Sequence, residues 1–125
     1  MNRLLKIVSG MGSMNIKMRK GKIAVPSMGE TLDSLICDNF GRCPFLIFYD
    51  KESKKYYALE NTGSRLQDGS GLKAAELIIK NNADILLTIE LGRKAYSALS
   101  REHIDIHLIN YSGSVKSAIN KFLKN

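Results

Sequence analysis

No stretch of this chain approaches the roughly 18 consecutive apolar residues of a membrane-spanning helix. The first 20 residues also lack the apolar block and small-residue cleavage site of a secretory leader. The expectation is therefore a cytoplasmic protein with no membrane association. Cysteine is scarce, with Cys37 and Cys43 the two thiols in 125 residues. That is too few for a disulfide framework, and a chain of this size buries roughly two-thirds of its unfolded surface without one. Acidic residues are missing from the first 22 positions, where Arg3, Lys6, Lys17, Arg19, Lys20 and Lys22 supply +6 of the +7 formal charge. Residues 23–125 are then close to neutral, which argues against nucleic acid as the partner. Residues 1–20 are expected to be a flexible basic tail, followed by a single domain over 21–125.

Catalytic signatures are missing as well. There is no G-x-S-x-G elbow, and neither His103 nor His107 has an obvious serine or cysteine partner. The dinucleotide fingerprint G-x-G-x-x-G does not follow the first strand, and Gly69-Ser70-Gly71 lacks the Lys-Ser/Thr ending of a phosphate-binding P-loop. The expectation is a binding protein, not an enzyme.

What is present has a clear order. "KIAVP" (22–26) is a short apolar run stopped by proline, a buried strand. Residues 27–44 form a long loop with room for one helical turn. "FLIFYD" (45–50) and "KYYALEN" (55–61) flank the polar "KESK" and predict a β-hairpin. The period then changes. "GSGLKAAELIIKNN" places apolar residues at 72, 74, 75, 78 and 79, one face of a helix. "DILLTI" (84–89) is a buried strand, "GRKAYSALSREH" a helix with Ala95, Tyr96 and Leu99 inward, and "IDIHLI" (104–109) a strand. "SGSVKSAINKFLKN" closes the chain as a helix with Val115, Ala118, Ile119, Phe122 and Leu123 on one stripe, capped by Ser112 or Ser114.

A tight hairpin joins antiparallel strands and an α-helical crossover joins parallel ones with a right-handed turn. The β-β-β-α-β-α-β-α order therefore predicts an α/β fold: a three-layer α/β/α domain with a mixed five-stranded sheet, order 3-2-1-4-5, strand 2 antiparallel and strand 1 central. Segments 27–44, 61–71, 90–93 and 110–114 then meet on the rim at the carboxyl ends of the parallel strands, where open α/β sheets bind ligands.

The candidate site residues lie in those segments. Gly69, Gly71, Gly92 and Gly113 mark helix starts whose N–H groups suit an anion, and Arg42, Arg65 and Arg93 add positive charge. Asp33, Asp38, Glu60 and Glu90 could meet at the rim as metal ligands but share no motif. Cys37 and Cys43, spaced C-x5-C, are too few for zinc even with His103 and His107, and a disulfide is disfavoured in the cytoplasm. Cys43, beside Pro44-Phe45, reads equally as a small core residue, whereas Cys37 reads as exposed.

Four segments together, "KIAVPS", "DNFGRCPFLIFYD", "GSGLKAAELIIKNNADILLT" and "LGRKAYSAL", resemble the dinitrogenase iron–molybdenum cofactor biosynthesis family. The resemblance runs from about Lys22 to Leu123. It implies a ribonuclease-H-like fold and a small accessory or carrier protein for an iron–sulfur cluster or iron–molybdenum cofactor precursor, bound transiently and passed between cofactor-assembly proteins. On that reading the cofactor-binding residues are Cys37, Asn39, Phe40, Gly41, Arg42, Cys43, Gly69, Gly71, Gly92 and Arg93, with Cys37 and Cys43 as metal ligands. Two thiols cannot fill a four-cysteine cluster site, so the cluster arrives preformed or is shared across a homodimer. The sequence departs from the family at Asn39, where histidine is frequent, and at Ile89 and Glu90. The alternative is a regulatory domain that recognises a small anion or a protein partner without metal.

Overall fold

The computed structural model describes residues 21–110 and 112–124; the basic tail expected over residues 1–20 lies outside them. Five strands and three helices follow in the predicted order: β1 (Lys22–Ser27), β2 (Phe45–Asp50), β3 (Tyr56–Glu60), α1 (Ser70–Lys80), β4 (Ile85–Thr88), α2 (Arg93–Arg101), β5 (Asp105–Leu108) and α3 (Val115–Lys124). A single 3₁₀ turn, Phe40–Arg42, interrupts the long loop before β2.

The sheet order is β3-β2-β1-β4-β5. β2 runs antiparallel to β1 and β3, while β1, β4 and β5 are mutually parallel. The two crossovers β3-α1-β4 and β4-α2-β5 both step the same way across the sheet. With one handedness they must lie on one face, and α3, which follows the last strand, covers the other. β1 is central and covered on both faces, which is why its sequence is apolar without alternation.

Its residues feed two cores in turn. Ala24 joins Leu46, Phe48, Ala75, Ile78, Leu86 and Leu99 under α1 and α2. Ile23 and Val25 join Ile47, Leu87, Val115 and Ile119 under α3.

Three expected core positions differ. Tyr96 is exposed because Ala95 and Leu99, one turn apart, already fill the inward face of α2. Leu72 and Leu123 are also exposed, each at the margin of its helix's buried stripe. β5 is less buried than its apolar sequence suggests because it is an edge strand. There His107 sits edge-on to Phe122 at 4.9 Å.

Candidate functional site

The loop after β1 is tied to the domain before it reaches the rim. Ile36 pairs with Ser27, and the Ile36 N–H donates to the Gly113 carbonyl at 2.8 Å. The Cys37 N–H donates to the Pro26 carbonyl at 3.1 Å. The chain then crosses from one face of the sheet to the other: Ile36 belongs to the core under α3 and Phe40 to the core under α1 and α2. Phe40 is therefore the apolar anchor of the loop, a core residue and not a wall of either cleft.

Gly41 does not simply bend the chain. A Cβ on it would lie 2.7 Å from both the Gly71 nitrogen and the Ser70 hydroxyl, so the 3₁₀ turn rests directly on the start of α1. Asn61, buried at the end of β3, holds the turn from beneath. Its Nδ2 donates to the Cys43 carbonyl at 2.8 Å and the Gly41 carbonyl at 3.3 Å, while its buried Oδ1 has no hydrogen-bond partner among the described residues. Sequence reasoning missed Asn61. An asparagine after a strand carries the signal of a turn, and nothing local distinguishes one that reaches inward.

Arg42 lies over the loop that precedes α1. Its guanidinium donates to the carbonyls of Ser64, at 3.2 Å, and of Leu66. Both Nη1 hydrogens are directed to the protein, which fixes the guanidinium over this loop at the edge of the cleft between α1 and α2.

Cys37 and Cys43 form a disulfide, with Cα atoms 5.7 Å apart. This corrects both the expectation against a disulfide and the expectation that Cys37 is exposed. The 3₁₀ turn folds residues 37–43 back on themselves and brings the two Cα atoms within bridging distance. The tie of the Cys37 backbone to β1 draws its side chain inward, leaving it 6% exposed and Cys43 fully buried. The Asn39 side chain is not gathered into a site; its carbonyl accepts from the Arg42 N–H at 3.0 Å and lies 2.7 Å from Cys43 Sγ.

Six of the ten predicted cofactor-binding residues line one of two clefts, and Asn39, Phe40, Gly41 and Cys43 line neither. One, of about 450 Å³, lies on the α3 side and includes Met28, Ile36, Cys37, Asp38 and Ile89. The other, of about 460 Å³, lies where α1 and α2 begin side by side. It holds Gly69, Gly71, Gly92 and Arg93 as expected, together with Arg42, Ser70 and Lys94. Arg65 is exposed and lines neither. Among the described residues no three of His, Cys, Asp and Glu come together as metal ligands, so the acids at 33, 38, 60 and 90 do not form a metal centre.

The three glycine-marked helix starts are not equivalent. The first N–H groups of an α-helix have no partner within it. At α3 the protein supplies them: Val115 N–H donates to the Ser34 carbonyl, Lys116 N–H to the Leu32 carbonyl and Ser117 N–H to Ser114 Oγ. At α1 and α2 no side chain caps the end and no acid stands in the first turn. Gly69 takes a left-handed conformation, φ 82°, which glycine adopts without penalty. A Cβ at Gly69 or Gly92 would meet nothing within 4 Å. The buried Ser70 hydroxyl lines the same cleft. The result is two positive helix ends, neither with an acid in its first turn, facing one opening; the cations Arg42, Arg93 and Lys94 line it, and one acid, Asp68, lies just before the α1 cap.

Comparison with known proteins agrees with this architecture. Residues 21–125 match the sequence profile described as "Dinitrogenase iron-molybdenum cofactor". An uncharacterised protein of Methanocaldococcus jannaschii is 29% identical over 112 residues, spanning 87% of this chain and 91% of the relative. The apo form of the orange protein from Desulfovibrio gigas superposes with a TM-score of 0.81 at 29% identity, covering 86% of this chain and 91% of that one. A putative NifB protein from Thermotoga gives 0.73 at 28% identity, covering 84% and 89%.

Proposed function

Because the chain belongs to the dinitrogenase iron–molybdenum cofactor family, we propose that it is a non-enzymatic cytoplasmic carrier. Its cargo is an anionic metal–sulfur cofactor or precursor, held in the cleft where α1 and α2 begin and delivered to cofactor-assembly proteins. The observation that carries this reading is the pair of open helix starts. Both lack an acid in the first turn, and they share their opening with Arg42, Arg93 and Lys94 against one acid, Asp68.

Each helix end favours a nearby anion by about 0.3–1 kcal/mol at an exposed site, and backbone N–H groups add hydrogen bonds to sulfide or oxide. Such a site grips by charge and shape without a covalent metal bond. That suits temporary carriage, and it suits a chain whose two cysteines are joined to each other.

The experiment is titration with tetrathiomolybdate, followed by absorbance. Wild type should bind, added salt should weaken binding, and the Arg93→Glu/Lys94→Glu double variant should lose it while keeping its fold. The lack of a three-ligand group among the described residues favours one competing reading, a domain that recognises a small anion without metal. Inorganic phosphate binding as tightly as tetrathiomolybdate would favour that reading instead.

A further inference from the structure

The cysteine pair is unused by the cleft between α1 and α2, yet the fold holds its two residues in place by contacts other than the bridge. Cys37 is fixed through its N–H to Pro26, and Cys43 through its carbonyl to buried Asn61. Phe40, between them, is anchored in the core. Breaking the S–S bond therefore leaves two thiols on backbone positions that stay close, with Cα atoms 5.7 Å apart, so that side-chain rotation, without refolding of the loop, suffices to bring both sulfurs to one ion.

The donor set then selects the metal. Structural zinc sites take four protein ligands and iron–sulfur clusters four cysteines. Among the described residues no third His, Cys, Asp or Glu joins this pair. Two thiolates suit the linear coordination of a soft monovalent ion, and thiolate and thioether donors select copper(I) over harder metals. Cys37 lines the α3-side cleft with Met28, Ile36 and Ile89, and with the polar Asp38, Asn110 and Ser112. Cys43 is fully buried and Cys37 is 6% exposed, so solvent and reagents reach the pair through Cys37.

We propose that Cys37 and Cys43, once reduced, form a two-thiolate site for one soft monovalent metal ion of the copper(I) class, closed to metal while the disulfide is intact. Opening the site requires a dithiol reductant. Its thiolate attacks Cys37 Sγ, the sulfur that lines the cleft, and the S–S bond breaks with Cys43 leaving as thiolate. The second thiol of the reductant then displaces Cys37 and leaves as the reductant's own disulfide. Two electrons and two protons enter the protein. The Asn39 carbonyl, which lies beside Cys43 Sγ, is an acceptor within reach of the new thiol. Copper(I) subsequently displaces both thiol protons to give a bis-thiolate complex of net charge −1.

This site does not depend on the carrier reading, and its test separates the two. Full-length protein is reduced with a dithiol, desalted without oxygen and titrated with copper(I) against a chromophoric copper(I) chelator; zinc(II) is run in parallel against its own chelator. Reduced wild type should remove a single equivalent of copper from the chelator. Untreated, oxidised wild type should remove none, a comparison that involves no substitution. Cys37→Ser and Cys43→Ser should each abolish uptake, and the Arg93→Glu/Lys94→Glu variant should take up copper like wild type. Copper left with the chelator by the reduced protein would overturn the proposal. So would equal uptake by oxidised protein or by Cys37→Ser, or a preference for zinc.

Discussion

At Gly41 and Gly71 the same chemical change should have opposite effects. A Cβ at Gly41 would meet the backbone nitrogen and Cα of Gly71 at 2.7 and 2.9 Å, and backbone at the start of a packed helix cannot yield cheaply. Gly41→Ala should cost about 1–3 kcal/mol, the usual range for overpacking. At Gly71 the added carbon would meet only Ala95 Cβ, at 3.9 Å. Gly71→Ala should therefore be neutral or stabilise by up to about 1 kcal/mol, because it restricts the unfolded chain. Urea unfolding of the two variants decides the matter. Equal destabilisation would mean that the contact between the 3₁₀ turn and α1 is looser than described. Both glycines were legible in the sequence as site positions, but not their different reasons: Gly41 serves close approach between two backbones, Gly71 the floor of the cleft. Cys37 was misread for the same reason. Its exposed neighbours describe the surface of the loop, whereas its burial comes from a hydrogen bond to a strand eleven residues away.

The elements themselves were legible because each carries its own period and the connection rules leave little choice. An antiparallel hairpin followed by two right-handed crossovers permits few sheets, and the observed order is the expected one. Segment 27–36 was not legible, because its role is to serve another element. Its Leu32 and Ser34 carbonyls close the N-terminus of α3, and that closure distinguishes α3 from the two open helices. Ser114 completes the cap, its Oγ accepting from the Ser117 N–H at 3.0 Å. Ser114→Ala should cost about 1 kcal/mol, typical of a lost N-cap, and lower the thermal midpoint. Tetrathiomolybdate affinity should not change, since α3 faces the other side of the sheet from the α1–α2 cleft. A variant that kept its stability but lost binding would place the anion site on the wrong face.

For the whole molecule the question is whether anion binding belongs to the cleft or to the net charge. The formal charge is +7, and removing residues 1–19 takes away four cations, leaving +3. A cut before Lys20 keeps Gly21 as an internal residue. Its N–H donates to Asp84 Oδ2 at 3.0 Å, and the Lys22 N–H donates to the same oxygen at 3.1 Å, so the start of the central strand stays tied to β4. Among the described residues both cores are drawn from residue 23 onward, and the family profile begins at residue 21. The shortened chain should therefore melt within a few degrees of the full one. The shortened chain keeps both helix starts and the cations of the cleft. Tetrathiomolybdate should then bind the shortened chain at 0.15 M salt as it binds the full chain, while the Arg93→Glu/Lys94→Glu variant, which also carries a formal charge of +3, should fail. Two proteins of equal net charge with opposite behaviour would assign binding to the two open helix starts and their neighbouring cations. Equal weakening in both would assign it to overall charge, and the carrier reading of the cleft would fall with it.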